Sequence, residues 1–257
     1  MHIYKTIKET RDEINSWKKQ GLSVGFVPTM GYLHEGHESL IKAAARENDK
    51  VVVSIFVNPM QFGPTEDLAS YPRDLEMDSA LCEKAGVDLI FHPEPEEMYK
   101  KDFSSYVDME AIVKSLCGKS RPVHFRGVQT VVLKLFNIVK PDRAYFGQKD
   151  AQQLAVIKRM VRDLDVDVEI IGCPIIREED GLAKSSRNTY LNPSERQAAL
   201  VLSQSLNLAK EMINGGETNV AKIKEAIIDR INSEPLAKID YVEVVSGETI
   251  MPIEKIE

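Results

Sequence analysis

Apolar and polar positions in the first two thirds of the chain alternate between two patterns. Short apolar runs rich in β-branched residues end at turn signals, and segments with helical spacing follow them. The run KVVVSIFV, residues 50–57, is apolar throughout after its lysine, which is typical of a strand buried on both faces. Strands that alternate with helices predict an α/β fold, a Rossmann-like doubly wound parallel sheet. The predicted strands are residues 22–28, 50–57, 87–91, 143–147 and 167–172.

The pattern changes after about residue 175. It predicts a long helix that starts at Asn192-Pro193, a second amphipathic helix at 218–231 and a strand at 239–245. We therefore expect a Rossmann-like domain at 1–175 and a smaller α+β C-terminal domain at 176–257. The predicted apolar stripe of the long helix is Ala199, Leu202, Leu206, Ala209 and Ile213.

Composition narrows the class of protein. The 257 residues are 43% hydrophobic and 28% charged, as in ordinary globular proteins, and the formal net charge is -7. This charge argues against a nucleic-acid or anionic-membrane surface. Cys82, Cys117 and Cys173 lie far apart, which indicates buried thiols in a reducing compartment. With neither a signal peptide nor a long apolar run in the sequence, we expect a cytoplasmic protein.

The stretch VPTMGYLHEGH, residues 27–37, places His34, Gly36 and His37 between a predicted strand and a predicted helix. Backbone N–H groups and the helix dipole stabilise an anion at such a turn, and imidazoles can donate hydrogen bonds to phosphate. Two alternatives remain open on these residues. The histidines could bind zinc, although no third or fourth ligand is evident, or they could simply lie on the surface.

Two further stretches supply polar groups at predicted strand ends. Gln61, in FVNPMQF, can recognise a hydroxyl and a carboxylate without adding charge, or can be an ordinary loop residue. In FGQKDAQQL, Lys149 at a helix start calls for a compensating anion. Asp150 suits a ribose hydroxyl pair but equally suits a helix N-cap, and Gln153 lies close to the same strand end.

Cations also gather in two loops. Residues 184–187, KSSR, combine two cations and two hydroxyls, as a pyrophosphate leaving group requires, or form a solvated linker. The stretch KSRPVHFRGV, residues 119–128, is either another wall of an anionic pocket or a basic surface turn. Its charged residues and histidine are Lys119, Arg121, His124 and Arg126.

Taken together, these stretches resemble the pantoate–β-alanine ligase family. The matching segments are PTMGYLHEGH, SIFVNPMQF, YPR, HFRGV, FGQKDAQQ and LAKSSRNTYL, in the right order across about residues 26–193. The H-x-G-H motif alone marks only the wider nucleotidyltransferase superfamily. The resemblance implies ATP-dependent condensation of (R)-pantoate with β-alanine to pantothenate through a pantoyl adenylate. AMP and pyrophosphate are released, and Mg²⁺ accompanies the ATP.

The resemblance also implies roles for individual positions. His34, His37 and Lys149 would contact the phosphates, and His37 would also be the proton donor. Gln61 and Gln153 would hold pantoate, with Gln61 also near β-alanine. We offer Asp78 as a weak candidate for a Mg²⁺ ligand. The ATP-binding residues would be Met30, Gly31, Tyr32, Leu33, His34, Glu35, Gly36, His37, Gly147, Gln148, Lys149, Asp150, Ile176, Lys184, Ser185, Ser186 and Arg187.

The sequence departs from the family pattern in three places. Lys184 stands where the family more often has an apolar residue, and Val123 replaces a small or polar one. The chain ends short of the usual family length by roughly one β-hairpin, so we expect an exposed strand edge in the second domain. The resemblance implies a homodimer. Two other functions stay open, a nucleotidyltransferase for a phosphorylated acceptor and a nucleotide-binding regulator without catalysis.

Overall fold

The computed structural model describes residues 1–256. Short 3-10 turns lie at Pro59–Gln61, Gln148–Asp150 and Ser186–Tyr190. The strands are β1 (His2–Tyr4), β2 (Val24–Thr29), β3 (Lys50–Ile55), β4 (Leu89–Phe91), β5 (Arg143–Gly147) and β6 (Glu169–Cys173). The helices are α1 (Ile7–Lys19), α2 (Glu35–Glu47), α3 (Leu75–Ala85), α4 (Pro95–Met98), α5 (Cys117–Ser120), α6 (His124–Val139), α7 (Ala151–Asp163), α8 (Pro193–Ala198), α9 (Leu200–Asn214) and α10 (Val220–Asn232).

The six strands form one sheet in the order β1-β4-β3-β2-β5-β6, and every pair is parallel. The chain moves outward from β2 through β3 to β4 and returns to the other side at β5. Strand order therefore reverses between β2 and β5, and ligands of doubly wound sheets bind at the carboxyl ends of strands beside such a reversal. The predicted α/β class and parallel sheet are confirmed.

The sheet is buried on both faces, which explains the apolar run of β3. Val52 and Phe26 belong to a core beneath α1, α6 and α7. Val51 and Val53 point the other way, into a core with Ile41 of α2. Successive strand residues face opposite sides, so each face needs its own apolar set. This packing fixes the strand ends that carry the polar residues.

The C-terminal part of the chain, residues 176–256, differs from its prediction in the strand. Residues 239–245 form no strand, and within residues 1–256 they make a single isolated bridge, between Val245 and Pro252. A strand requires a ladder of partners, and here Ile239, Val242 and Val244 pack against the core of α9 and α10 instead. The predicted strand at 239–245 and its exposed edge are consequently wrong, and the regular elements within residues 176–256 are helices.

The long helix also departs from its prediction. It is divided into α8 and α9 at Ala199, and the predicted stripe is mostly exposed, since Leu202 and Leu206 are 55% and 57% exposed. Val201 and Ala209 pack against α10 instead. Ser205 is buried beside them because its hydroxyl donates to the carbonyl oxygen of Val201 at 2.6 Å. Serine counts as polar in a hydrophobicity pattern, although a serine whose hydroxyl bonds to its own helix backbone can be buried. The pattern therefore does not reveal the buried face of this helix.

The cysteines are free thiols, with Cys82 and Cys173 buried as predicted and Cys117 half-buried. Within residues 1–256, no helix has the length and apolar character needed to span a bilayer.

Candidate active site

Two adjoining cavities open at the carboxyl ends of β2 and β5. The larger has a volume of about 210 Å³ and the smaller about 130 Å³. Polar residues from both strand ends line both cavities, so a ligand that spans them passes between β2 and β5. The residues that line both are Pro28, His34, His37, Phe146, Lys149, Asp150 and Gln153.

The two histidines cap helix α2. His34 is the N-cap, and its Nδ1 accepts a hydrogen bond from the backbone N–H of Gly36 at 3.1 Å. Nδ1 of His37 accepts from the backbone N–H of His34 at 3.3 Å. A neutral imidazole that accepts at Nδ1 carries its proton on Nε2. Both rings are therefore Nε2–H donors. A Cβ at position 36 would lie 2.7 Å from Cε1 of His34, which explains the glycine.

Both imidazoles are held uncharged. Burial, with smaller effects from His34 and Lys149, lowers the pKa of His37 to about 3. Burial and then Lys149 lower the pKa of His34, while Glu35 opposes them. The helix N-terminus and the rings thus stabilise negative charge with dipoles rather than with added positive charge.

The zinc alternative gains no support from this geometry. Nδ1 of each ring is occupied by a backbone N–H group. Within residues 1–256, no group of three or more His, Cys, Asp and Glu side chains is arranged to hold a metal ion.

The turn before the histidines depends on a buried carboxylate. Gly31 and Tyr32 have positive φ angles of 86° and 52°. Asp78 of α3, 1% exposed, accepts hydrogen bonds from the backbone N–H groups of Tyr32 at 2.9 Å and Leu33 at 2.6 Å. Burial raises the pKa of Asp78, and the two backbone hydrogen bonds oppose this shift. Asp78 lines neither cavity, so the predicted role as a Mg²⁺ ligand has no geometric support; it shapes the turn.

Lys149 and Asp150 form the opposite wall. They lie in the 3-10 turn Gln148–Asp150, before α7, and Nζ of Lys149 is 3.3 Å from Oδ2 of Asp150. Asp150 occupies the N-cap position of α7, yet its side chain makes no capping hydrogen bond. The capping alternative for its carboxylate is therefore wrong, and the carboxylate instead pairs with Lys149 where both residues line the cavities.

Gln61 lies in the larger cavity and is held by Asn58. Asn58 donates from Nδ2 to Oε1 of Gln61 at 3.1 Å and to the carbonyl oxygen of Gly127 at 3.2 Å. Nε2 of Gln61 lies 3.2 Å from the sulfur of Met30. Both amide side chains are buried, at 1% and 8% exposure. The Gln61 amide is thus fixed before any ligand binds.

The residues of the loop at 184–187 line the two cavities, and several side chains tie the loop to the N-terminal part of the chain. Arg187 forms a fork with Asp67, with Nε 2.8 Å from Oδ2, and its guanidinium lies over the ring of Tyr71. The hydroxyls of Ser186 and Tyr71 are 3.1 Å apart. Nζ of Lys184 is 3.2 Å from Oε1 of Glu35. The side-chain hydrogen bond from Arg187 is the main cause of the lowered pKa of Asp67.

The stretch around His124 forms another wall of the larger cavity. Arg121 and His124 both line it, and Arg121 pairs with Glu66. Of the two interpretations of this stretch, the pocket wall agrees with these two positions. Arg126 pairs instead with Asp108 at the surface, at 2.5 Å.

Most predicted site residues meet in the two cavities. Those that line neither are Tyr32, Leu33, Glu35, Gln148 and Asp78, and Gly31 lines only a separate cavity beside α3. The sequence analysis did not single out Asn58, and it did not predict an apolar wall from α6. This wall comprises Val128, Val131, Val132 and Leu135. Its helical spacing was a signal, but it does not show that the wall faces a ligand.

Comparisons with known proteins identify the family of the chain. Residues 2–257 match the family model described as pantoate-beta-alanine ligase. The pantothenate synthetase of Clostridium acetobutylicum is 62% identical over the whole chain, which covers 92% of that relative. The crystal structure of pantothenate synthetase from Thermus thermophilus superposes with a TM-score of 0.94 at 48% identity, covering 100% of this chain and 91% of that one.

A further relative was solved with ligands. The pantoate-beta-alanine ligase of Francisella tularensis, complexed with beta-gamma ATP and beta-alanine, superposes with a TM-score of 0.78 at 39% identity. The match covers 90% of this chain and 86% of that one. The resemblance found in the motifs is confirmed. The chain therefore belongs to the pantoate–β-alanine ligase family, and it is an enzyme of the ligase class.

Proposed function

We propose that this chain condenses (R)-pantoate with β-alanine to pantothenate, with ATP as the energy source and pantoyl adenylate as the intermediate. The observation that carries the proposal is the pair of adjoining cavities whose shared wall holds His34, His37 and Lys149. In a reaction at the α-phosphate, ATP would occupy one cavity and the attacking substrate the other. The three shared side chains would then lie beside the α-phosphate.

The smaller cavity suits the nucleoside. It is lined by Gly147, Asp150 and Ile176, and carboxylates in such folds bind ribose hydroxyls. The carbonyl oxygen of Ile176 already accepts from the backbone N–H of Lys184 at 3.0 Å. Adenine would therefore form hydrogen bonds with the other backbone N–H and C=O groups around Ile176.

The larger cavity suits pantoate. Gln61 and Gln153 offer neutral hydrogen-bonding groups to a hydroxyl and a carboxylate. The apolar wall of α6 matches the two methyl groups of the substrate. Neutral amides also leave the substrate carboxylate nucleophilic, whereas a fixed arginine pair would quench it. A phosphorylated acceptor would call for arginines at these positions.

The first step requires charge stabilisation more than proton transfer. The pantoate carboxylate is already ionised at neutral pH, so no base is needed for its attack on the α-phosphate. Lys149, the two Nε2–H groups and the N-terminus of α2 would stabilise the charge that develops. Arg187 and Ser186, on the loop at 184–187, would act on the departing pyrophosphate.

Magnesium would enter as MgATP, which is the form of the substrate. Mg²⁺ keeps several waters and binds phosphates, so it does not require a cage of protein carboxylates. We expect chelation by EDTA to stop adenylate formation and excess Mg²⁺ to restore it. From the family resemblance we further propose two domains divided near residue 175, a homodimer and a cytoplasmic location. Light scattering after size exclusion tests the dimer.

The decisive experiment is isotope exchange of pyrophosphate into ATP. We expect exchange that depends on pantoate and needs no β-alanine, together with AMP release that needs all three substrates. Exchange that depends instead on a phosphorylated acceptor would establish the other nucleotidyltransferase reaction. ATP binding without exchange or AMP release would establish a regulator.

A further inference from the structure

We propose that His124 is the base that accepts the proton of the β-alanine amine when the amine attacks the adenylate. This inference rests on the proposed function, whose second step has no assigned proton acceptor. His124 lines the larger cavity together with Gln61 and Lys149, so its ring faces the compartment where pantoate and β-alanine would react.

The hydrogen bond of His124 fixes its tautomer. Nδ1 lies 3.0 Å from the backbone carbonyl oxygen of Gln61. A carbonyl can only accept, so Nδ1 carries the proton and Nε2 keeps a lone pair. Within residues 1–256, Nε2 has no hydrogen-bond partner and is not sealed from solvent. The tautomer of His124 is thus the opposite of those of His34 and His37.

The site consequently holds two imidazole donors and one imidazole acceptor. The donors sit at the wall shared by the two cavities, where phosphate charge develops. The acceptor lines only the larger cavity, where pantoate and β-alanine would react. This division matches a reaction that stabilises an anion first and removes a proton second.

Close backbone packing holds the ring in this orientation. A Cβ at Gly127 would lie 2.4 Å from the carbonyl oxygen of Met60, so helix α6 approaches the 3-10 turn Pro59–Gln61 as closely as glycine allows. Asn58 ties the same helix turn to Gln61. His124 is only 8% exposed. A base fixed in this way is preorganised for its acceptor role.

Burial is what holds the His124 ring uncharged. Burial is the main reason that the pKa of His124 is lowered, and Arg121 adds to the shift. The hydrogen bond to Gln61 and the carboxylates of Glu66 and Asp150 oppose it. Glu66 is itself paired with Arg121, which weakens its effect on the ring.

The proposed step balances. The amine lone pair of β-alanine attacks the acyl carbon and forms the C–N bond, and the acyl C–O bond to phosphate breaks. AMP leaves with that electron pair, and the N–H proton passes to Nε2 of His124 and then to solvent. The free ammonium has a pKa near that of lysine, so its first proton is lost to solvent. The nitrogen becomes far more acidic as it attacks, which makes a weakly basic imidazole sufficient.

The test compares His124→Asn with His124→Gln in single-turnover experiments. In His124→Asn, the side-chain amide can replace the Nδ1 donor to Gln61 but cannot act as a base. In His124→Gln, the longer side chain places its amide near the position of Nε2. Enzyme, MgATP and pantoate are mixed with pyrophosphatase to form the adenylate, and β-alanine is then added. For His124→Asn we expect adenylate formation within about threefold of wild type and AMP release slowed about 100-fold.

Three outcomes overturn the inference. Equal slowing of both steps shows that His124 positions pantoate, and no slowing of AMP release shows that it is not the base. Restoration of the second step by His124→Gln shows that a hydrogen bond suffices. Pyrophosphate exchange in the wild type is measured alongside, and its failure would overturn the proposed function itself.

A pH profile of the wild type supplies a readout that does not depend on the variants folding. The second-step rate constant is divided by the concentration of unprotonated β-alanine. We expect this quotient to fall at acid pH with the ionisation of one imidazole whose pKa is below 6.5, and His124→Asn to lack that fall. A flat wild-type profile contradicts the inference.

Discussion

Each histidine in the site takes its role from the partner of its Nδ1 atom. Where Nδ1 accepts from a backbone N–H, as in His34 and His37, Nε2 is left as a donor. Where Nδ1 faces a carbonyl oxygen, as in His124, Nε2 is left as an acceptor. The sequence contains these three histidines but does not show their partners, since Gln61 and His124, for example, are 63 residues apart.

The lowered pKa of His37 predicts a dependence of stability on pH. The native pKa is about 3 and the ordinary value is 6.5, so the unfolded state binds more protons between these pH values. The contribution of the neutral ring is complete above pH 6.5 and is lost as the pH falls towards 3. We expect His37→Asn to lose less stability than wild type between pH 6.5 and 4.

Thermal melts followed by circular dichroism at half-unit pH steps check this prediction. Asparagine can still accept from the backbone N–H of His34, so the cap is retained. His2→Asn, at an exposed position, serves as the matched control and should keep the wild-type slope. Parallel slopes for His37→Asn and wild type would contradict the pKa assignment.

Lys149 is the cation at the wall shared by both cavities. We expect Lys149→Ala to cost about 3 kcal/mol of transition-state stabilisation, the usual magnitude for one preorganised donor. Single-turnover adenylate formation measures this loss. Lys158→Ala, exposed on the following helix α7, is the control. A Lys149→Ala rate within about threefold of wild type would remove this side chain from the chemistry.

At the scale of elements, helix α3 stabilises the turn that begins helix α2. Asp78 accepts hydrogen bonds from two backbone N–H groups of that turn. Two residues of the turn, Gly31 and Tyr32, have positive φ angles. The sequence suggested Asp78 only as a carboxylate near the nucleotide. It could not indicate the direction in which the side chain points, because that direction follows from how α3 packs on α2.

Removal of this carboxylate should affect both stability and rate. We expect Asp78→Ala to reduce the free energy of unfolding by about 1–3 kcal/mol, because two buried N–H groups lose their acceptor. Pyrophosphate exchange should slow as the histidines lose their fixed positions. Urea unfolding and exchange assays measure the two effects. Glu76→Ala, at an exposed position on the same helix, is the control and should change neither quantity. Wild-type stability and exchange in Asp78→Ala would contradict the proposed role of Asp78.

Elements with strong local signals were predictable. Such signals depend on only a few neighbouring residues. They are the apolar run of β3, the glycine at the end of α3 and the proline that follows α6. Residues 239–245 had the composition of a strand, but a strand also needs a partner, which composition does not supply. The predicted apolar stripe of α9 was wrong because the buried face of this helix includes two polar residues, Ser203 and Ser205.

At the scale of the whole molecule, ion pairs and hydrogen bonds join the loop at 184–187 to the N-terminal part of the chain. The fork between Arg187 and Asp67 is half-buried, with side-chain exposures of 42% and 24%. Tyr190 also donates to Asp67, at 3.2 Å. The sequence predicted a cationic loop between two units, but the carboxylate that holds it lies 120 residues away.

This attachment predicts a change in proteolysis. We expect Asp67→Asn to speed tryptic cleavage after Arg187 by about threefold to fivefold, as for loss of a pair worth about 1 kcal/mol. MgATP with pantoate should slow cleavage in both proteins. Mass spectrometry of the fragments over time is the measurement. Asp12→Asn, which breaks a surface pair with Lys8, is the control, and equal cleavage of all three proteins would contradict the attachment.

The cap of helix α2 has a consequence for how the enzyme responds to salt. Ring N–H groups and peptide dipoles are anchored by the fold, and dissolved ions shield them far less than they shield exposed charges. If most of the attraction for the α-phosphate comes from such dipoles, raising potassium chloride should weaken MgATP affinity only slightly. The affinity for MgATP would then differ little between dilute buffer and a solution of physiological salt concentration.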